Sequence, residues 1–157
     1  MKTNTAVTWL MPLAIGTALA FGSSLAIGQQ GGAAKMSVWS GVYSKAQAER
    51  GEQAYKASCA SCHGSKLNGA GEPDMPPSPA VAREGFLRKW SGRSVAELAE
   101  YLQKSMPPDT PGRLSAQESA DVIAHMLAVS NIPAGDKDLP SDAKALADLV
   151  IEVQPKK

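Results

Sequence analysis

The chain has 157 residues, which is enough for one modest domain with extensions. Hydrophobic residues make up 43% and charged residues 20%, as in an ordinary globular protein, but aromatic residues make up only 5%, which leaves room in the core for another large group. The formal net charge is +1 and no long run of one sign occurs. Nucleic-acid-binding proteins usually carry a clustered basic face, so the charge argues against that class.

The N-terminal residues 1–28 have the pattern of a secretory signal peptide. Lys2 is the only charged residue before Lys35, and the apolar, small-residue stretch AVTWLMPLAIGTALAFGSSLAIG lies between them. Small-x-small patterns predict cleavage after Ala26 or Gly28. The alternative is an uncleaved membrane anchor, since a transmembrane helix needs about 20 apolar residues. In either case we expect the remainder of the protein to work outside the cytoplasm, in the periplasm.

Two flanking segments are predicted on either side of the central domain. Residues 29–43 are small and polar and indicate a linker or arm, from which Val38 and Trp39 dock on the domain. Residues 132–157 form a C-terminal extension, in which apolar spacing predicts a short helix over 141–150.

The central domain is predicted to be all-α, with no β-strand pattern. A first helix is expected at 45–57, followed by a loop at 64–79 in which Gly and Pro are too dense for a regular element. Two capping boxes, Ser-x-x-Glu, predict further helices over 94–105 and over 115–131. Such long loops in a small helical domain need something to wrap around.

The stretch Cys59-Ala60-Ser61-Cys62-His63 carries the chemistry. Its C-x-x-C-H spacing is that of covalent c-type haem attachment, in which two thiols form thioethers to the haem vinyl groups and the histidine binds the iron. A dithiol redox site is the main alternative, but it normally sits in a βαβ context. A structural zinc site needs four ligands, and the chain has only two Cys and two His, one of which, His125, lies on a predicted core-facing helix.

These residues carry a family resemblance. The pieces ERGEQAYKASCASCHG, FLRKWSGRSVAELAEYL and SMPPDTPGRLSAQESADVIAHML resemble class I c-type cytochromes, and most of all the subgroup associated with periplasmic dehydrogenases. The resemblance implies that 44–131 is a cytochrome c domain with the class I cytochrome c fold. It implies about four to five helices around one covalently bound haem c, with His and Met as axial ligands.

Two methionines compete for the iron, because Met-Pro-Pro occurs twice after the haem motif. Met75 lies only twelve residues after His63, well within reach, but its loop starts on the His63 side and is expected to cover that side. Met106 follows a capped helix and precedes two prolines of fixed φ, so its thioether is held stiffly. The resemblance also places the axial ligand at Met106. A carbonyl of the first proline loop, near Pro76 or Pro77, is expected to accept the Nδ1–H of His63.

Other residues receive roles from the resemblance. Trp90 and Arg93 are candidates for haem propionate contacts, since an indole N–H and a guanidinium both donate hydrogen bonds. Gly51 and Tyr55 are expected to form the contact between the first and last core helices. Their expected partners there are Ile123, Met126 and Leu127, and His125 stands where the family often has an aromatic residue.

The function implied is that of a periplasmic monohaem electron carrier without a catalytic acid, base or nucleophile. The expected donor is a periplasmic dehydrogenase and the expected acceptor is a downstream cytochrome or a terminal oxidase. The chain is then either a free carrier or the electron-transfer subunit of a dehydrogenase complex, and a membrane is involved only if residues 1–28 stay uncleaved. Two alternatives stay open: a haem sensor with an open sixth position, and a CxxC dithiol oxidoreductase.

Overall fold

The computed structural model describes residues 35–75 and 77–154, all within one unit, Gly31–Lys157. In this part of the chain, six helices and two very short strands follow one another. Their bounds are β1 Met36–Ser37, a 3₁₀ turn Val38–Ser40, α1 Lys45–Ser58, α2 Ala60–His63, α3 Arg83–Trp90, α4 Val95–Ser105, α5 Ala116–Val129, α6 Ala143–Ala147 and β2 Leu149–Val150. The helical class predicted from the sequence is confirmed. The predicted signal peptide, 1–28, lies outside the described residues, and no helix in the described ranges has the length and apolar character to cross a membrane.

Capping side chains explain where α1, α4 and α5 begin, and the Asp142 carboxylate caps α6 in the same way. The Ser44 hydroxyl accepts a hydrogen bond from the Gln47 backbone N–H at the start of α1. Ser94 and Ser115 each form a complete capping box at the start of α4 and α5. Helix α3 carries no such signal, because Ala82 at its N-terminus has no side chain that could cap. Capping patterns in the sequence therefore do not predict where α3 begins.

The centre of the core is the crossing of α1 over α5. A Cβ on Gly51 would lie 1.8 Å from the Asp121 carbonyl oxygen and 3.0 Å from the His125 Cβ, so only glycine permits this approach. One turn later the rings of Tyr55 and His125 meet, with their centroids 5.6 Å apart. The expected contact at Gly51 and Tyr55 is thus present, and Asp121 and His125 take part in it. The three residues expected as its partners are buried in the same core as Tyr55: Ile123, Met126 and Leu127.

The two flanking segments pair with each other. In a parallel register Met36 lies beside Leu149. The sequence shows no strand pattern at these positions, because strands of two residues are too short to leave one. The short helix predicted over 141–150 covers only Ala143–Ala147 before the chain extends into β2. Val38 is buried, and the Trp39 Nε1–H donates to the Glu152 carbonyl at 3.0 Å, so this part of the arm packs as predicted.

The C-terminal extension then packs along the domain, and three of its contacts involve residues 139–151. The buried Gln47 side chain exchanges two hydrogen bonds, of 2.9 and 2.6 Å, with the Leu139 backbone. Helix α6 packs on α4. The Ile151 carbonyl accepts from the Gly92 N–H and its N–H donates to the Arg93 carbonyl, each at 2.9 Å. The extension therefore holds the turn between α3 and α4 from outside.

Candidate functional site

Two cavities with about 430 Å³ of empty space each lie side by side behind the Cys59–His63 stretch. They are two lobes of one site, because they share five lining residues: His63, Val81, Leu102, Met106 and Met126. The cysteine lobe is completed by Tyr55, Ser58, Cys59, Cys62, Pro107, Pro108 and Val122. The tryptophan lobe is completed by Pro79, Ala80, Phe86, Lys89, Trp90, Leu98 and Tyr101. Most of these side chains are apolar, as a binding site for a large flat group requires.

Helix α1 delivers the cysteines to the cysteine lobe. The Cys59 N–H donates to the Tyr55 carbonyl at 2.8 Å, and the chain turns at once into α2, which carries Cys62 and His63. The two cysteines are not joined by a disulfide. The Tyr55 hydroxyl donates to the Gly64 carbonyl at 2.9 Å and so ties the end of the motif back to α1.

The His63 ring has one nitrogen engaged by the protein. Its Nδ1 lies 2.8 Å from the Pro79 carbonyl oxygen, which can only accept, so Nδ1 carries the proton and Nε2 is left with its lone pair. A proline-loop carbonyl was predicted here, but the acceptor is Pro79 and not Pro77; the other candidate, Pro76, lies outside the described residues. Such a bond fixes the ring orientation of a metal-binding histidine.

The two methionine loops are placed differently. Met106 follows the last residue of α4, and its N–H donates to the Leu102 carbonyl at 3.1 Å. It lines both lobes, as His63 does. Met75 lines neither lobe and lies in the loop after the haem motif. Met126, expected in the contact between the first and last core helices, is buried and also lines both lobes.

Trp90 and Arg93 occupy different environments. Trp90 is buried and lines the tryptophan lobe. The guanidinium carbon of Arg93 lies 4.2 Å from the centre of the Trp90 ring, and its Nε pairs with Glu97 at 3.1 Å. Arg93 lines neither lobe. The structure therefore brings Cys59, Cys62, His63, Met106 and Trp90 to one site, and leaves Arg93 beside it.

Comparison with protein families identifies the domain to which these residues belong. The family model described as "Cytochrome C oxidase, cbb3-type, subunit III" matches residues 46–126, more than half of the chain. The chain belongs to this family of cytochrome c domains. Membership implies covalent haem and electron transport, and the C-x-x-C-H stretch at Cys59–His63 is consistent with the haem motif.

No curated protein sequence matches the chain. Among solved structures, the chain is similar to the sulfane dehydrogenase SoxCD from Paracoccus pantotrophus, with 18% identity and a TM-score of 0.44. The similarity covers 75% of this chain and 60% of that one.

The cysteine lobe of this cytochrome c domain suits thioethers better than free thiols. Burial raises the pKa of the Cys59 thiol to about 11, with Arg113 nearby acting in the opposite direction and Cys62 adding to the rise. A dithiol oxidoreductase needs a cysteine whose pKa is lowered, because the thiolate is the nucleophile. A thioether carries no charge and loses nothing by burial, so the lobe fits a covalently attached haem.

The donor set across the two lobes fits an iron porphyrin as well. An imidazole with a free Nε2 and a thioether both line the region that the lobes share, and His/Met ligation is typical of electron-transfer cytochromes. Bound there, haem c would supply the one-electron couple of its iron. His63 and Met106 would hold the iron, and Cys59 and Cys62 would carry the thioether bonds.

The sequence interpretation missed two polar residues of the tryptophan lobe, Lys89 and Tyr101. Both show helical spacing: Lys89 lies three residues after the buried Phe86, and Tyr101 lies three residues after the buried Leu98. For Tyr101 this spacing lies on the predicted helix over 94–105. For Lys89 it is visible only once α3 is recognised as a helix, and α3 begins without a capping side chain.

Proposed function

We propose that this chain is a periplasmic monohaem cytochrome c with His63 and Met106 as axial ligands, which passes single electrons from a dehydrogenase to a downstream cytochrome or oxidase. One observation carries the proposal: His63 and Met106 both line the region shared by the two lobes, and the Pro79 carbonyl holds the His63 ring with Nε2 free. We further propose that residues 1–28 direct export and that 29–43 and 132–157 flank the cytochrome c domain at 44–131.

Each part of the chain has a distinct task in this function. His63 and Met106 set the iron potential, and a thioether ligand raises it. The apolar walls keep water from most of the haem, which also tunes the potential. Partners then dock weakly and briefly near the haem, as redox proteins do. The protein itself makes and breaks no substrate bond.

The axial ligand is tested with matched methionine variants, Met106→Ala and Met75→Ala, purified with their haem. We expect the wild-type protein and Met75→Ala to give six-coordinate, low-spin spectra in both oxidation states and to bind no carbon monoxide. Met106→Ala is expected to lose the sixth ligand and to bind carbon monoxide. Met126→Leu serves as a control within the cavity and should keep the wild-type spectrum.

Three results would contradict the proposal. Retention of the six-coordinate spectrum in Met106→Ala would remove Met106 from the iron. Carbon monoxide binding by the reduced wild-type protein at neutral pH would favour a haem sensor with an open sixth position. A purified protein without haem and with two titratable thiols would establish the dithiol oxidoreductase. Purification from the periplasm together with any associated enzyme distinguishes a free carrier from a subunit.

A further inference from the structure

Two helices present the same pattern to the tryptophan lobe. From α3, Phe86, Lys89 and Trp90 line it, and from α4, Leu98, Tyr101 and Leu102 do so. Both sets have the spacing i, i+3, i+4, which places three side chains on one face of a helix. In each set the outer two residues are buried and apolar, whereas the middle one is polar and exposed. Lys89 and Tyr101 therefore form a polar rim on an otherwise apolar lobe.

The position of the cysteines determines which end of the haem faces this rim. The vinyl groups that form thioethers lie on two adjacent pyrrole rings, and the two propionates lie on the other two. Cys59 and Cys62 are in the cysteine lobe. The propionate edge of a haem attached to them would therefore face the tryptophan lobe, where a carboxylate needs donors and a positive charge.

Charge at this rim comes from Lys89. It is the one cation that lines the tryptophan lobe in the described structure, and the same lining contains no acidic residue. In the described part of the chain, no ion pair joins Lys89 to a carboxylate. Its neighbour Arg88 pairs with Glu84 on another face of α3. Arg93 is engaged by Glu97 and by the Trp90 ring.

We propose that Lys89 and Tyr101, rather than Arg93, hold a haem propionate at the rim of the tryptophan lobe. The inference rests on the proposed function, because it requires the covalent haem. Lys89 would offset the negative charge of the propionate and favour its ionised form, and the Tyr101 hydroxyl would donate a hydrogen bond to it. Without that cation, the uncompensated negative charge of the propionate would lower the iron potential. The propionate would also take up a proton more readily.

The test is the haem midpoint potential as a function of pH in Lys89→Gln, Arg93→Gln and Arg88→Gln. Arg88→Gln is the matched control, because it removes the same charge from the next residue of α3 without touching the lobe. We expect Lys89→Gln to lower the potential at alkaline pH and to raise the proton affinity of the propionate about threefold to tenfold. A tenfold difference in proton affinity between the two oxidation states corresponds to 59 mV.

Other ionisable groups lie near the rim and are unchanged in the Lys89 variants. They are Tyr101 in the lining, the Arg93–Glu97 pair beside Trp90, and His63 in the shared region. Tyr101→Phe removes only the hydroxyl and keeps the ring that lies 5.7 Å from Trp90, so it should produce a smaller shift in the same direction. Lys89→Arg keeps the charge and should restore the wild-type profile.

The outcomes separate this inference from the proposed function. If Arg93→Gln changes the profile and Lys89→Gln does not, Arg93 holds the propionate and the inference is wrong. If Lys89→Gln and Arg88→Gln produce equal shifts, only distant surface charge is acting, and the inference is again wrong. A wild-type protein that lacks the six-coordinate spectrum would instead contradict the proposed function, whatever the Lys89 variants do.

Discussion

The two lobes of the site are built in different ways. The cysteine lobe takes much of its wall from one short stretch, Tyr55 to His63, which is a helix end followed by a single turn. The tryptophan lobe takes its walls from a proline loop and two separate helices, α3 and α4, and the Ile151 backbone holds the turn between those helices from outside. A local motif thus specifies one lobe, while long-range packing specifies the other.

The largest effect is expected at Gly51, because α1, the helix that delivers the cysteines, packs closely against α5 there. A methyl group in Gly51→Ala would lie 1.8 Å from the Asp121 carbonyl oxygen, so α1 must move away from α5. We expect a loss of about 3 kcal/mol in the free energy of unfolding, measured by chemical denaturation. Gly85→Ala is the control, because a Cβ there meets nothing within 4 Å in the described structure and should be neutral or slightly stabilising. Equal losses in both variants would contradict the close-approach argument.

A smaller loss of stability is expected from removing the contact between Gln47 and the C-terminal extension. Gln47→Ala leaves the Leu139 N–H and carbonyl without their side-chain partners in a buried position. Unpaired buried groups of this kind cost about 2 kcal/mol in the free energy of unfolding. The exposed Gln53, on the same helix, is the control, and Gln53→Ala should cost less than about 0.5 kcal/mol. A Gln47→Ala variant as stable as the wild type would show that the extension contributes no stability through this contact.

The two capping boxes offer a direct comparison of the lobes. Ser94→Ala and Ser115→Ala each remove one cap and should each cost about 1 kcal/mol. Only Ser94 adjoins the α3–α4 turn, where it bridges to Val150. We therefore expect the haem potential to change in Ser94→Ala and to stay at the wild-type value in Ser115→Ala. The same change in both variants would mean that the potential follows overall stability and not the tryptophan lobe.

The smallest effect is a pH dependence of stability at the α1–α5 crossing. Burial lowers the pKa of His125 below its ordinary value of 6.5, with Glu52 acting against this and Lys56 acting with it. Because the unfolded chain binds the proton more readily, stability is full above pH 6.5 and falls as the pH drops toward the folded pKa. In His125→Phe this loss, which begins below about pH 6.5, should disappear in denaturation curves. An unchanged slope would assign the loss to other groups.

Carboxylates affect the stability in a separate, more acidic pH range and do not interfere with the His125 effect. Hydrogen bonds lower the pKa of Glu118 through Ser115 and of Asp138 through Ser44 and Arg50, so their contributions fade only below the ordinary carboxylate values of 4.5 and 3.8. The chain has two histidines, and the proposal gives His63 to the iron. His125 is then the histidine left to titrate near neutral pH.

Local sequence determined much of this protein. The helix that delivers the haem motif, both capping boxes, the C-x-x-C-H stretch and the stiff Met106-Pro107-Pro108 segment all follow from residues close together in the chain. Hydrogen bonds between neighbours and the fixed φ of proline act over a few residues, so spacing alone reveals them. Membership of the cytochrome c family implies covalent haem, with which the C-x-x-C-H spacing is consistent.

Tertiary structure alone decided the rest. It placed His125 and Asp121 against α1, moved the His63 acceptor to Pro79, paired β1 with β2, and turned Lys89 and Tyr101 into the tryptophan lobe while Arg93 lies outside it. Each of these depends on contacts between segments far apart in sequence. Which of two neighbouring polar residues faces a cavity depends on the rotation of the packed helix about its axis. Successive residues such as Arg88 and Lys89 lie about 100° apart around that axis.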